Sequence, residues 1–204
     1  MAVGLLAAGL VLGAPAGTVL ATRYRAHAVG GSGMAPTLRP GSVVLTEPVP
    51  ADTVQRGDLL LLDAPDDRAP GPVVLRLIGT GGDRVACCGA GGLRRNGALV
   101  AEPYALGGGR EFGVQVNPHR LFVLGDNRTG ALDSRVPELF GQGDGTLAEG
   151  AVLGRVVWAS GSAVPAPGSG TATALVRVAA AGAVLFLLGL LGLPVALLAA
   201  RRRC

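Results

Sequence analysis

The chain has no lysine: all eighteen basic residues are arginine. A guanidinium stays protonated in proteins, so no basic side chain of the amine type can serve as a proton acceptor. Aromatic residues make up only 3% of the sequence. The arginines are scattered apart from a terminal triplet, and no basic stripe carries stacking aromatics. Nucleic-acid binding is therefore not expected, despite a net charge of +4. Only three cysteines occur, Cys87, Cys88 and Cys204. An odd count with one residue at the far end does not build a disulfide scaffold, and neighbouring cysteines seldom bridge each other. Free thiols packed as small hydrophobes are the expectation. No Cys/His spacing suggests zinc, so neither a metal nor a cofactor is expected. Between residues 24 and 159 there is no amphipathic helical stretch of ten residues, which argues against a helical bundle.

The apolar residues, 49% of the chain, collect at its two ends. Residues 4–22 carry no charge, and Arg23 and Arg25 follow at once. Such a run rises roughly 28 Å as a helix, enough to cross a bilayer core. A cleaved signal peptide is the alternative, since Ala14-Pro15-Ala16 has small residues at the needed spacing. No positive charge precedes the run, however, and an uncleaved anchor over 1–23 is the better reading. From Val178 to Ala200 twenty-three uncharged residues precede Arg201–Arg203. The arginine triplet favours a cytoplasmic end. Two spans then leave the middle of the chain on the extracytoplasmic face of the cell membrane, with Arg23 and Arg25 against the positive-inside tendency. Residues 160–173 have the composition of a flexible linker, and 174–204 form the second anchor with its arginine-rich tip.

The middle, 24–159, reads as strands. Ser42–Thr46, Leu59–Asp63, Val73–Ile78, Leu121–Leu124 and Val152–Trp158 are short apolar or alternating runs bounded by Gly, Pro and Asp. Asn96-Gly97, between Leu93 and Leu99, signals a two-residue hairpin. The fold class expected is mainly β: an antiparallel domain flanked by two transmembrane helices.

The densest polar segment is LFVLGDNRTGALDSR, residues 121–135. A buried strand breaking into charges and amides usually builds a polar site. The segment resembles the last signature box of the type I signal peptidases, membrane-anchored serine proteases that remove signal peptides from exported proteins. Other boxes of that family recur in order. GGSGMAPTLRPG at 30–41 resembles the nucleophile box, with Met34, Pro36, Thr37 and Leu38 matching. RGDLLLL at 56–62 resembles the next. LRLIGTGGD at 75–83 resembles the box that normally opens Lys-Arg, with Arg76, Ile78, Gly79, Gly82 and Asp83 matching. Cys87-Cys88, Asn96-Gly97 and Glu102-Pro103-Tyr104 look most like actinobacterial members.

The resemblance also defines what is missing. The nucleophile position holds Gly33 instead of serine. The general-base position holds Leu75 instead of lysine, and the orienting serine is Ala131. In the family a buried lysine, its pKa lowered by desolvation, activates the serine hydroxyl. None of these catalytic groups is intact here. Ser32 is a substitute one residue early, and on an extended strand it would face away from the groove. A bulge through Gly30, Gly31 and Gly33 would bring it back. His27 and His119 are the only histidines; the first lies near the anchor, the second in a turn.

The family resemblance thus implies a signal-peptidase-like membrane protein that is inactive or severely impaired. It would hold an extended peptide by strand addition along Gly31, Ser32, Met34, Pro36, Val74, Arg76 and Ile78. Asp126, Arg128, Asp133 and Arg135 would brace the fold. Expected partners are the membrane and signal peptides, secreted precursors or an active signal peptidase. Two alternatives stand beside this reading: an active peptidase using Ser32, and a membrane-tethered β domain with no peptide ligand.

Overall fold

A computed structural model describes residues 2–63, 71–88, 91–108, 111–136, 143–162, 164, 166 and 168–201, with side chains up to residue 192. The chain divides into two units, residues 1–25 with 167–204, and residues 26–166.

The first unit is a helix pair. α1 runs Ala2–Arg23 with Pro15 inside it, and α2 runs Ser169–Arg201. Ala2–Arg23 and Ser169–Gly192 are both long and apolar enough to cross a membrane. The helices meet through glycines. A Cβ on Gly9 would lie 2.6 Å from the Phe186 nitrogen, and one on Gly182 would lie 2.5 Å from the Gly13 Cα. Only residues without side chains allow this approach, as in membrane helix packing generally. The linker expectation for 160–173 needs correction. α2 already begins at Ser169, behind Gly168, which adopts φ +83°. Ser162 donates its hydroxyl to the Thr37 carbonyl at 2.6 Å, and Val164 is buried. Small residues read as flexible by composition, yet Ala, Ser and Thr also extend a helix whose next turns are apolar. Residues 202–204, most of the arginine tip, lie outside the described residues.

The second unit is antiparallel β. A curled seven-stranded sheet has the order β1-β2-β11-β3-β4-β9-β10. Its strands are β1 (Arg25–Ala28), β2 (Val43–Glu47), β3 (Leu59–Leu62), β4 (Val73–Thr80), β9 (Arg120–Leu124), β10 (Leu147–Ala148) and β11 (Val152–Ala159). A smaller sheet has the order β7-β6-β5-β8, from β5 (Arg84–Cys87), β6 (Arg94–Arg95), β7 (Ala98–Leu99) and β8 (Phe112–Gln115). Asn96 and Gly97 turn β6 into β7 with φ of 52° and 81°, the positive values a tight hairpin demands. β9 shows why the long strands are apolar throughout. Leu121 and Val123 enter one core with Leu75 and Leu77, whereas Phe122 and Leu124 enter another with Val85 and Val116. Alternation with period two buries both faces.

The free-thiol expectation fails for the adjacent cysteines. Cys87 and Cys88 form a disulfide across a cis peptide bond, with Cα atoms 3.2 Å apart. The expectation rested on the unfavourable backbone geometry that a bridge between neighbouring cysteines requires.

Candidate functional site

The segment from Gly30 to Leu38 is the first wall of the site. It is not an extended strand. The Ala35 amide donates to the Ser32 carbonyl at 3.0 Å, and the Leu38 amide to the Met34 carbonyl at 2.8 Å. These bonds coil the chain into consecutive turns. The expectation that Ser32 faces away rested on strand alternation, and the turn removes that premise. Ser32 is exposed and lines a cleft of about 530 Å³.

The opposite wall is the start of β4. Val73, Val74 and Leu75 pair with Leu62, Leu61 and Leu60 of β3. β9 joins the other edge of β4 only from Arg76, opposite Leu124. Among the described residues, the stretch Val73–Leu75 therefore has one backbone edge without a strand partner. Gly130 and Leu132 complete the rim.

The sequence-predicted groove residues separate into two groups. Gly31, Ser32, Met34 and Val74 line the cleft, together with Gly33 and Leu75. Pro36, Arg76 and Ile78 do not. Pro36 lies further along the turn, after a cis Ala35–Pro36 peptide bond. Arg76 is 4% exposed and turned into a buried ion pair, and Ile78 belongs to the core against the small sheet. Both follow from β4 running out of the cleft into the interior.

At the cleft floor the chemistry is sparse. Leu75 is 3% exposed and packs in the core that includes Met34 and Leu60. A Cβ on Gly33 would meet the Ala131 Cα and Cβ at 3.4 Å. So the positions equated with nucleophile and orienting hydroxyl are neighbours in space, one bare and the other a methyl. Among the described residues, none lining the cleft is titratable, and the Ser32 hydroxyl has no hydrogen-bond partner. His27 sits on β1 and is not part of the lining. The His119 side chain is 89% exposed, with Nδ1 3.2 Å from the Glu149 carboxylate.

Behind the cleft the turn 125–135 is densely bonded. Arg76 donates to both Asp126 oxygens, at 2.8 and 2.6 Å, and to the Gly57 carbonyl at 2.9 Å. Thr37 donates its hydroxyl to Asp126. Arg135 donates to both oxygens of Asp133 at 2.8 Å, and Asp133 accepts the Gly125 amide at 2.9 Å. Arg128 donates to the Gly125 carbonyl at 3.0 Å and to both oxygens of Glu102. Fork-shaped pairs of this kind are the stronger class of ionic hydrogen bond. Asn127 ties the turn to the first wall: its side-chain amide donates to the Ser32 carbonyl at 3.2 Å, and its backbone amide to the Gly33 carbonyl at 2.9 Å.

Sequence reasoning missed two members of this network. Glu102 is the counterion of Arg128. The Tyr104 ring lies 3.8 Å beneath the Arg76 guanidinium carbon. Burial, with the Glu102 charge nearby, pushes the Tyr104 hydroxyl up to about 12. Glu102-Pro103-Tyr104 stood out only as a subtype marker, and their pairing over twenty-six or more residues has no local signal.

The family described as signal peptidase, peptidase S26, matches residues 3–160. The chain belongs to this family. Signal peptidase I from Bacillus amyloliquefaciens is 31% identical over 145 residues, 64% of this chain and 70% of the relative. Signal peptidase I U from Bacillus subtilis is 32% identical over 131 residues, 58% of this chain and 68% of the relative. A crystal structure of a signal peptidase I from Enterococcus faecalis aligns with a TM-score of 0.41 and 26% identity, covering 50% of this chain and 96% of that one. In this signal peptidase family member the last box forms the ion-paired turn, while the cleft carries Gly33 and Leu75.

Proposed function

We propose that this protein is a membrane-anchored signal peptidase relative that binds extended peptides without cutting them. Its ligands are signal peptides or secreted precursors, and it serves protein secretion either alone or beside an active signal peptidase. The observation that carries the reading is the floor of the cleft. Acyl transfer by a serine needs a hydroxyl and a group that takes its proton. Gly33 supplies no hydroxyl, Leu75 supplies no amine, and Ala131 supplies nothing to hold one. The free edge of Val73–Leu75 still offers backbone groups for strand addition. Two spans, with the β domain on the extracytoplasmic face, would bring that edge to exported chains. The subtype is actinobacterial on this reading. A signal peptidase I from Mycobacterium tuberculosis, 41% identical over 76 residues, supports it.

One observation favours a second reading. Ser32 lines the cleft, which makes it a substitute nucleophile for a working peptidase. Its hydroxyl has no basic partner among the described residues, and for that reason binding without cleavage is preferred.

The two readings separate in one assay. The full chain in lipid, beside its Ser32→Ala variant, is incubated with a signal-bearing precursor. Saturable binding with no cleaved product is the expected result. Cleavage by the parent that disappears in the variant would establish the second reading instead. Neither binding nor cleavage would leave a tethered structural domain.

A further inference from the structure

A second cavity, of about 530 Å³, lies beside the small sheet. Its walls include Cys87, Cys88, Leu93, Val100, Glu102 and Arg128. The bridge between the two cysteines thus stands on the wall of a space large enough for a small molecule.

The bridge does little for the fold. A disulfide stabilises chiefly by closing a loop of the unfolded chain, and the effect grows with the length enclosed. Cys87 and Cys88 are adjacent, so their bridge encloses no intervening chain. The strands around it are joined without it. Val85 pairs with Arg95 of β6 and with Val114 of β8, and Val85, Leu93 and Phe122 pack in one core.

The two sulfurs differ in access. Cys87 ends β5 and is 8% exposed within that core. Cys88, just past the strand, is half-buried and the more open of the two. Exchange requires a thiolate to reach one sulfur, and access decides which. The Arg128 and Glu102 charges on the same wall balance each other, so the pair presents no net charge against an arriving thiolate.

We infer that Cys87–Cys88 is a thiol-exchange site, reduced through this cavity by a small-molecule thiol. The thiolate attacks the Cys88 Sγ and forms a mixed disulfide. The bond between the cysteines breaks, and the Cys87 sulfur leaves as a thiolate that takes a proton from water. A second thiolate attacks the small molecule's sulfur in the mixed disulfide and releases Cys88, which is protonated in turn. The small molecule ends as its own disulfide, and its two electrons leave both cysteines as thiols. The inference is independent of what the cleft binds.

The test treats the full chain in lipid, without denaturant, with millimolar mercaptoethanol and then iodoacetamide. Digestion after arginine yields the peptide Val85–Arg94, which reports the bridge apart from Cys204. That peptide is expected to carry two alkyl groups after thiol treatment and none before it. Reduction should lower Tm by less than about 5 °C. Ala105 is half-buried on the cavity wall, and Ala105→Trp should slow the alkylation about tenfold by filling the space. Leu99→Trp, at the exposed rim, replaces it if that variant does not fold. A bridge that resists thiol in the folded chain but yields after unfolding in urea would overturn the site. So would alkylation before any thiol is added, a larger fall in Tm, or an unchanged rate in the folded cavity-filling variant.

Discussion

The turn at 125–135 and the cleft in front of it occupy the same corner of the β domain, yet they differ in kind. Behind, Arg76, Asp126, Arg128, Glu102, Asp133 and Arg135 are buried or nearly so, and each charge has a geometrically matched partner. In front, the walls present glycine, valine, leucine, Met34, Pro72 and a single serine, with no titratable side chain among the described residues. In this domain the ion-paired scaffold and the apolar cleft are separate sets of side chains. Residues that brace the fold are held by the cost of breaking them, whatever happens at the cleft.

That contrast breaks most dramatically if the reaction chemistry can be put back. Gly33→Ser, Leu75→Lys and Ala131→Ser together should raise precursor cleavage by orders of magnitude over the parent chain, as loss of a nucleophile or base lowers it. Space is available at the first position, where a Cβ makes only ordinary contact with Ala131. A folded triple variant that remains inert, assayed by product on a gel, would show that the braced turn no longer supports a site.

The next largest effect concerns the brace itself. Asp126→Ala strands the buried Arg76 guanidinium and should cost about 3–5 kcal/mol, read from denaturant unfolding. A loss below about 1 kcal/mol would mean that Tyr104 and the Gly57 carbonyl suffice for Arg76.

Glycine substitutions sharpen the boundary between the regions. A Cβ on Gly125 would lie 2.2 Å from the Ala131 Cβ and 2.5 Å from the Gly33 oxygen. Gly125→Ala should therefore cost about 1–3 kcal/mol by overpacking. Gly31→Ala, which meets nothing within 4 Å, should stay within about 0.5 kcal/mol by thermal unfolding.

The smallest effect is a pH dependence at Asp83, which joins the two sheets. Burial alone would raise its pKa, but bonds from Arg56, the Thr80 amide and Asn96, with the Arg56 charge, bring it below 3.8. A lowered carboxylate value stabilises the folded state above the unfolded pKa and loses that contribution as pH falls through the folded one. Asp83→Asn should flatten the acid limb of the stability curve below about pH 4. An unchanged limb would assign acid unfolding to other carboxylates.

Much of the architecture was legible beforehand because it depends on local pattern. The runs at Leu59–Asp63, Val73–Ile78 and Val152–Trp158 became β3, β4 and β11 with ends shifted by one or two residues. Asn96-Gly97 turned where positive φ was needed. β1, β5 and β8 went unread, since RAHA, RVAC and FGVQ are too short and mixed to show a period. In the site, the bare positions Gly33, Leu75 and Ala131 could be read from the boxes. The facing of Ser32 could not, because it depends on bonds from Ala35 and Asn127 that turn the chain. Nor could the Cys87–Cys88 bridge, since an odd count of cysteines with two adjacent gives no local sign of pairing.

The inventory of the cleft lining carries a consequence for the conditions under which it works. None of its described side chains gains or loses a proton between mild acid and mild alkali. Occupancy should then hold steady as the surroundings acidify, where a lysine-dependent protease would slow.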